Sequence, residues 1–236
     1  MISPYLKLLC LRGGGSSAII HAQFAKLERI LSNHFQLIHP EEPLETSPCP
    51  VTPPSLETCD LCSCWASDET ISTPQSDEGQ NSDKTPIRNF MTQHGPFVGI
   101  IGFSEGVHGA ASILLEHQRK PFTDDLLFGI FFCGMFLSSD PEPQQIILPT
   151  AHVLGLSGHH VRESELLLGH CTLESIRKVV RINDGLGPDS SAVVQQVAHA
   201  VSIVYIESNR RRMSRLCERN HQGSVSPTMM YRRRSV

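Results

Sequence analysis

The stretch PFVGIIGF (Pro96–Phe103) carries no polar side chain, and that constrains the fold more than any other feature of the chain. A strand with one wet face alternates apolar with polar residues, whereas a strand without polar positions has to be covered on both faces. Such strands belong inside a parallel sheet with helices on each side. The run ends in Gly102-Phe103-Ser104-Glu105-Gly106, after which small and apolar residues recur at helical spacing (EGVHGAASILLEHQ). A strand that delivers Gly-x-Ser-x-Gly to the start of a helix has the layout of a nucleophile elbow.

The rest of the chain repeats the alternation. YLKLLCL (Tyr5–Leu11), FQLI (Phe35–Ile38), FGIFFCGMF (Phe128–Phe136), TAHVLGL (Thr150–Leu156) and RKVVRI (Arg177–Ile182) read as strands. SAIIHAQFAKLERILSNH, TPIRNFMTQHG, RESELLLGHC and SAVVQQVAHAVSIVYIESN read as the helices between and after them. Right-handed crossovers then build an α/β sandwich: a mostly parallel central sheet with helices on both faces. No internal repeat is visible.

Residues 1–206 read as one domain, interrupted by a segment about Pro43–Asp83 rich in Pro, Ser, Thr, Asp and Glu. Irregular insertions of that length are lids or disordered segments. Residues 207–236 read as an Arg-rich, flexible tail, frayed beyond the last helix. The formal charge of −4 argues against nucleic acid as the main partner, and no run approaches the roughly 18 apolar residues of a membrane span. The apolar stretch near the N-terminus is too short for a secretory signal and is needed as a strand, so the expected location is cytoplasmic. Cys59, Cys62 and Cys64 cluster in CDLCSCW without a second half that would complete a zinc site, so they read as reduced loop thiols, with no metal and no cofactor expected.

A serine hydroxyl is a weak nucleophile at neutral pH; it needs a base within hydrogen-bond reach and an acid to orient that base. The elbow exposes Ser104 at the carboxyl end of the sheet, and Gly102 and Gly106 permit the tight backbone approach. The amide of Glu105 would face a developing oxyanion, with a second donor from the RGGGS loop after the first strand, at Gly13.

Three blocks, LKLLCLRGGGSSAIIHAQFAKLERIL, MTQHGPFVGIIGFSEGVHGAASILL and PTAHVLGLSGHHVRES, resemble the fungal serine hydrolases of the α/β-hydrolase fold, a family that includes polyketide-releasing thioesterases. The likeness extends over most of Leu6–Tyr205, and HGPFVGIIGFSEG is its most specific block. It implies a serine esterase or thioesterase acting on a small acyl ester or a carrier-bound thioester, with a polyketide synthase as a partner. Three positions depart from the family pattern. Arg12 stands where the family has a histidine, and reads as a solvated side chain or a clamp for an acidic substrate. The triad acid falls on Gly158 and the triad histidine on Leu186.

Substitutes are sought near the carboxyl edge. His159 and His160 occupy the loop where the acid normally lies and are candidate displaced bases; Asp140, after FGIFFCGMF, is a candidate orienting acid. Asp184 and Asp189 read as turn residues, His108 as a packing or surface residue of the elbow helix, and His199 as a structural residue of the last helix. Two functions remain open at this level. One is an active hydrolase with a displaced base. The other is a decayed homologue that keeps the acyl pocket for binding or for protein interaction.

Overall fold

The computed structural model describes residues 6–12, 25–40, 44–46, 62–64, 77–104, 106–123, 125–134, 145–156, 161–172, 177–182 and 191–223. Six strands form one sheet: β1 (Leu6–Leu11), β2 (Phe35–Ile38), β5 (Phe97–Phe103), β6 (Phe128–Phe132), β7 (Thr150–Gly155) and β8 (Arg177–Ile182). Their order is β2-β1-β5-β6-β7-β8 and every neighbouring pair is parallel. The helices are α1 (25–31), α2 (Asp77–His94), α3 (Gly106–Arg119), α4 (Val161–His170) and α5 (Ser191–Gly223).

Alternation along each strand sends consecutive side chains to opposite faces. Leu8 and Cys10 of β1 join one core with Leu27 and Leu31 of α1 and Val197, Val201 and Val204 of α5. Leu9 and Leu11 join the other core with Ile87 and Met91 of α2 and Val107, Ile113 and Leu114 of α3. All seven residues of β5 are buried, as its composition requires. Each fully buried aliphatic side chain in these two layers stabilises the fold by about 1.5–3 kcal/mol before entropy is counted. On the first face Tyr205 of α5 meets the edges of Phe35 and Phe128 at 5.3 and 6.1 Å between ring centroids, which ties the last helix across to β2.

Three boundaries differ from the sequence reading. The insertion is not wholly irregular: β3 (Leu44–Thr46) and β4 (Cys62–Cys64) pair as an antiparallel ribbon, and α2 begins at Asp77 rather than near Thr85. Strand β6 stops at Phe132, four residues short of FGIFFCGMF, because Cys133 takes a left-handed backbone (φ 42°) that no strand can continue through.

The third difference is the length of α5, which continues to Gly223 through residues expected to fray. Arginine is a good helix former, and its charge is answered locally. Glu207 lies 3.7 Å from Arg210 and 3.9 Å from Arg211, one turn on, while Arg212 reaches Asp125 ahead of β6 at 3.2 Å. Exposed helix pairs of this kind each stabilise by about 0.3–0.5 kcal/mol. Among the described residues no helix is long and apolar enough to cross a membrane.

Candidate functional site

Strand β5 ends at Phe103, and the chain turns at Ser104 with φ 52°. A non-glycine residue in this left-handed region costs about 1–2 kcal/mol, so the surrounding contacts have to hold it there. Two hydrogen bonds do. The Ser104 N–H donates to the Phe132 carbonyl at 3.0 Å, and the Val107 N–H donates to the Ser104 carbonyl at 3.1 Å. After seven buried residues Ser104 is partly exposed, so the bend brings its side chain out at the carboxyl edge of the sheet. This is an elbow by geometry as well as by motif.

The flanking glycines are sterically required. A Cβ on Gly102 would lie 2.6 Å from Val107 Cα and 2.8 Å from the Gly106 carbonyl oxygen. On Gly106 it would overlap the carbonyls of Leu11 and Arg12. That contact docks the start of α3 on the end of β1. A third small residue escaped the sequence reading: a Cβ on Gly134 would overlap Val107 Cγ2 and the Ser104 carbonyl oxygen. The glycine inside the apolar run FGIFFCGMF was the available signal. Ser164 at the start of α4 donates to the Gly134 carbonyl at 2.9 Å, which secures this wall of the elbow from the far side.

Topology places the elbow where such sheets bind ligands. The chain leaves β1 outward to β2 and builds the other half of the sheet from β5 onward, so the order reverses between β1 and β5. Crevices at the carboxyl ends of strands flanking a switch point are the usual ligand sites of open α/β sheets. Ser104 follows the carboxyl end of β5, a strand that flanks this switch point, with the electropositive N-terminus of α3 starting two residues later.

Of the other residues singled out in the sequence, Gly13, Glu105, Asp140, His159 and His160 lie outside the described residues, as do Gly158, Asp184, Leu186 and Asp189 and the thiol Cys59. Arg12 is described and corrects one expectation: it is 7 % exposed, not solvated. Its backbone carbonyl lies against Gly106 at the start of α3. His108 is half-buried on α3, in keeping with a packing role, and His199 faces solvent on α5 rather than the core.

Two further groups bear on the chemistry. Cys133, next to the Phe132 carbonyl that anchors Ser104, places its thiol 3.5 Å from the Val153 carbonyl. Burial raises its pKa above the ordinary thiol value, so it stays protonated at neutral pH. His152 lies mid-strand in β7, buried against Phe131 with ring centroids 5.2 Å apart and Nε2 3.0 Å from Thr150 Oγ1. Burial, reinforced by the nearby Arg177 charge, lowers its pKa to about 3. So weak a base, held inside the sheet layer, is a core residue. The polar position in TAHVLGL was its signal.

Comparison with known proteins decides what this elbow belongs to. Residues 2–185 match the family model described as serine hydrolase (FSH1). The chain belongs to the FSH1 serine hydrolase family. This FSH1 chain is 47% identical to Esterase FUS5 of Gibberella moniliformis over 217 residues, which span 91% of this chain and 93% of the relative. It is 32% identical over 196 residues to the dihydromonacolin L-[lovastatin nonaketide synthase] thioesterase of Aspergillus terreus, spanning 68% and 77% of the two chains. Among solved structures, a carboxylesterase from Mesorhizobium loti superposes with a TM-score of 0.58 at 14% identity, with 85% and 90% of the two chains covered. That likeness establishes the α/β-hydrolase fold, and the family match establishes the serine hydrolase lineage.

Proposed function

We propose that this FSH1 protein is an esterase or thioesterase that hydrolyses an acyl ester or thioester through an acyl-enzyme on Ser104. The observation that carries the reading is the strained, doubly anchored backbone of Ser104 beside the switch point, at φ 52°, in a chain of the serine hydrolase family. The relatives named for esterase and thioesterase activity support the reaction class.

In this reading the Ser104 hydroxyl loses its proton to a base as Oγ attacks the carbonyl carbon, and the charge collects on the carbonyl oxygen. The Glu105 and Gly13 amides stabilise that oxyanion, which is worth about 3–4 kcal/mol per donor in such enzymes. The intermediate collapses as the alcohol or thiol leaves with the proton, and water then releases the acid by the same steps in reverse. His159 or His160 supplies the base and Asp140 the orienting acid, in place of the partners lost at Gly158 and Leu186. The A. terreus relative, named for its action with a polyketide synthase, suggests a polyketide acyl thioester as the substrate and such a synthase as the partner.

The substitutions at 158 and 186 favour a second reading, a decayed homologue that binds acyl groups without cleaving them. Steady-state hydrolysis of p-nitrophenyl butyrate and of an acyl N-acetylcysteamine thioester separates the two. Turnover lost about 10⁴-fold or more in Ser104→Ala supports the enzyme. Saturable binding of the same thioester without turnover supports the decayed form.

A further inference from the structure

The extension of α5 has features that ester hydrolysis does not use. From Met213 to Glu218 every residue is exposed, so the helix has left the body of the fold by this point. Ile206, Met213 and Leu216 are 64%, 57% and 42% exposed. At 100° per residue these three fall within an arc of about 80° along the solvent side of the helix, with Asn209 as the one polar residue between them. Arg210 borders the stripe with its side chain 78% exposed, and Arg211, Arg212 and Arg215 occupy the remaining sides. Residues 207–236 hold eight arginines against two glutamates in a chain whose formal charge is −4; within 206–218 the balance is four against two, with Arg210 and Arg211 near Glu207 and Arg212 on Asp125.

We propose that the 206–218 segment of α5 is an interfacial helix that seats the protein on an anionic lipid surface. An exposed aliphatic stripe combined with arginines is the pattern of helices that lie in the headgroup layer, with the apolar side chains entering the acyl boundary and the cations meeting lipid phosphates. Each arginine near such a surface adds to the attraction, and the effect falls off within a Debye length. Charge complementarity selects this occupant. A second copy of the helix would bring like-charged arginine clusters together, and nucleic acid has no use for the aliphatic stripe. The segment adsorbs and does not span: its apolar face is a stripe rather than a belt. The inference is independent of catalysis at Ser104.

Co-sedimentation of the full chain with vesicles tests it, comparing pure phosphatidylcholine with phosphatidylcholine containing about 30% phosphatidylserine. The wild type is expected to pellet with the anionic vesicles and not with the neutral ones. Raising salt from about 0.1 M to about 0.5 M should weaken the partitioning. Ile206→Ser/Met213→Ser/Leu216→Ser should reduce it by on the order of tenfold or more, and Arg210→Ser/Arg215→Ser by a smaller factor, with circular dichroism unchanged because all five side chains lie outside the core. Three results would overturn the proposal. One is no partitioning into either vesicle. Another is partitioning, or equally tight binding to a polyglutamate peptide, that survives loss of the three apolar residues, which would reduce the segment to a cationic patch. The third is a concentration-dependent dimer abolished by the triple substitution, which would make the stripe a contact between copies.

Discussion

The Ser104 amide N–H lies 3.0 Å from the carbonyl oxygen of Phe132, so the last bond between β5 and β6 is made by the residue in the left-handed turn. The sheet itself thus holds the elbow in its strained form. Ser104 turns out of the sheet while its own amide still bonds within the ladder. Under the proposed function, reactivity at this position depends on the packing behind it.

Gly134 is the part of that packing most open to test. A methyl group there overlaps the Ser104 carbonyl and Val107 Cγ2, so Gly134→Ala should destabilise the fold by about 1–3 kcal/mol. It should also lower reactivity at Ser104 by more than its effect on stability explains. Urea unfolding compared with probe labelling at a temperature where both proteins are folded checks this. Unchanged reactivity in a destabilised variant would separate the wall from the site.

His152 predicts a pH dependence. Its pKa in the fold is about 3 against 6.5 for an unperturbed histidine, so the unfolded chain takes up a proton that the native state refuses. The contribution is fully present above pH 6.5 and is lost progressively as pH falls toward 3. At pH 5 the loss is about 2 kcal/mol. His152→Leu should remove that component, so its stability should fall less than that of the wild type between pH 7 and pH 5. Parallel pH profiles for the two proteins would contradict the assignment.

Cys133 should be slow to alkylate despite its place beside the elbow, because burial keeps it a thiol. Mass spectrometry after brief iodoacetamide treatment at pH 7 should show it modified far more slowly than the exposed Cys217. Cys133→Ser should retain hydrolytic activity. Rapid modification with loss of activity would make Cys133 part of the reactive machinery.

The Asp125–Arg212 pair should matter little to stability. Both side chains are about a third exposed, and Asp125→Ala is expected to cost no more than about 1 kcal/mol. The far-ultraviolet signal of α5 should persist, since the helix is also supported by Val197, Val201 and Val204 in the core. A large loss of helicity would show that this pair nucleates the extension.

The architecture was legible because it rests on burial. Strands without polar positions, such as Phe97–Phe103, have only one setting in a globular chain, and the helices between them carry the 3.6-residue period. What escaped the reading was set by contacts between segments distant in sequence. Gly134 is small because Val107 and Ser104 lie against it, and Arg12 is buried at the end of β1, where α3 docks. Past Asn209 α5 continues without apolar periodicity, with Glu207 near Arg210 and Arg211 and with Arg212 on Asp125, which the pattern of buried residues alone does not reveal. Ser104 was legible because its glycines are a local requirement of the turn.

The most direct test of the central claim is labelling of the full chain by a fluorophosphonate probe, followed by peptide mapping, in the wild type and in Ser104→Ala. The account predicts covalent modification at Ser104 in the wild type and none in the variant, because only a serine with a functioning base attacks phosphorus at a useful rate. A folded wild type that resists the probe, or one labelled equally after Ser104→Ala, would contradict it.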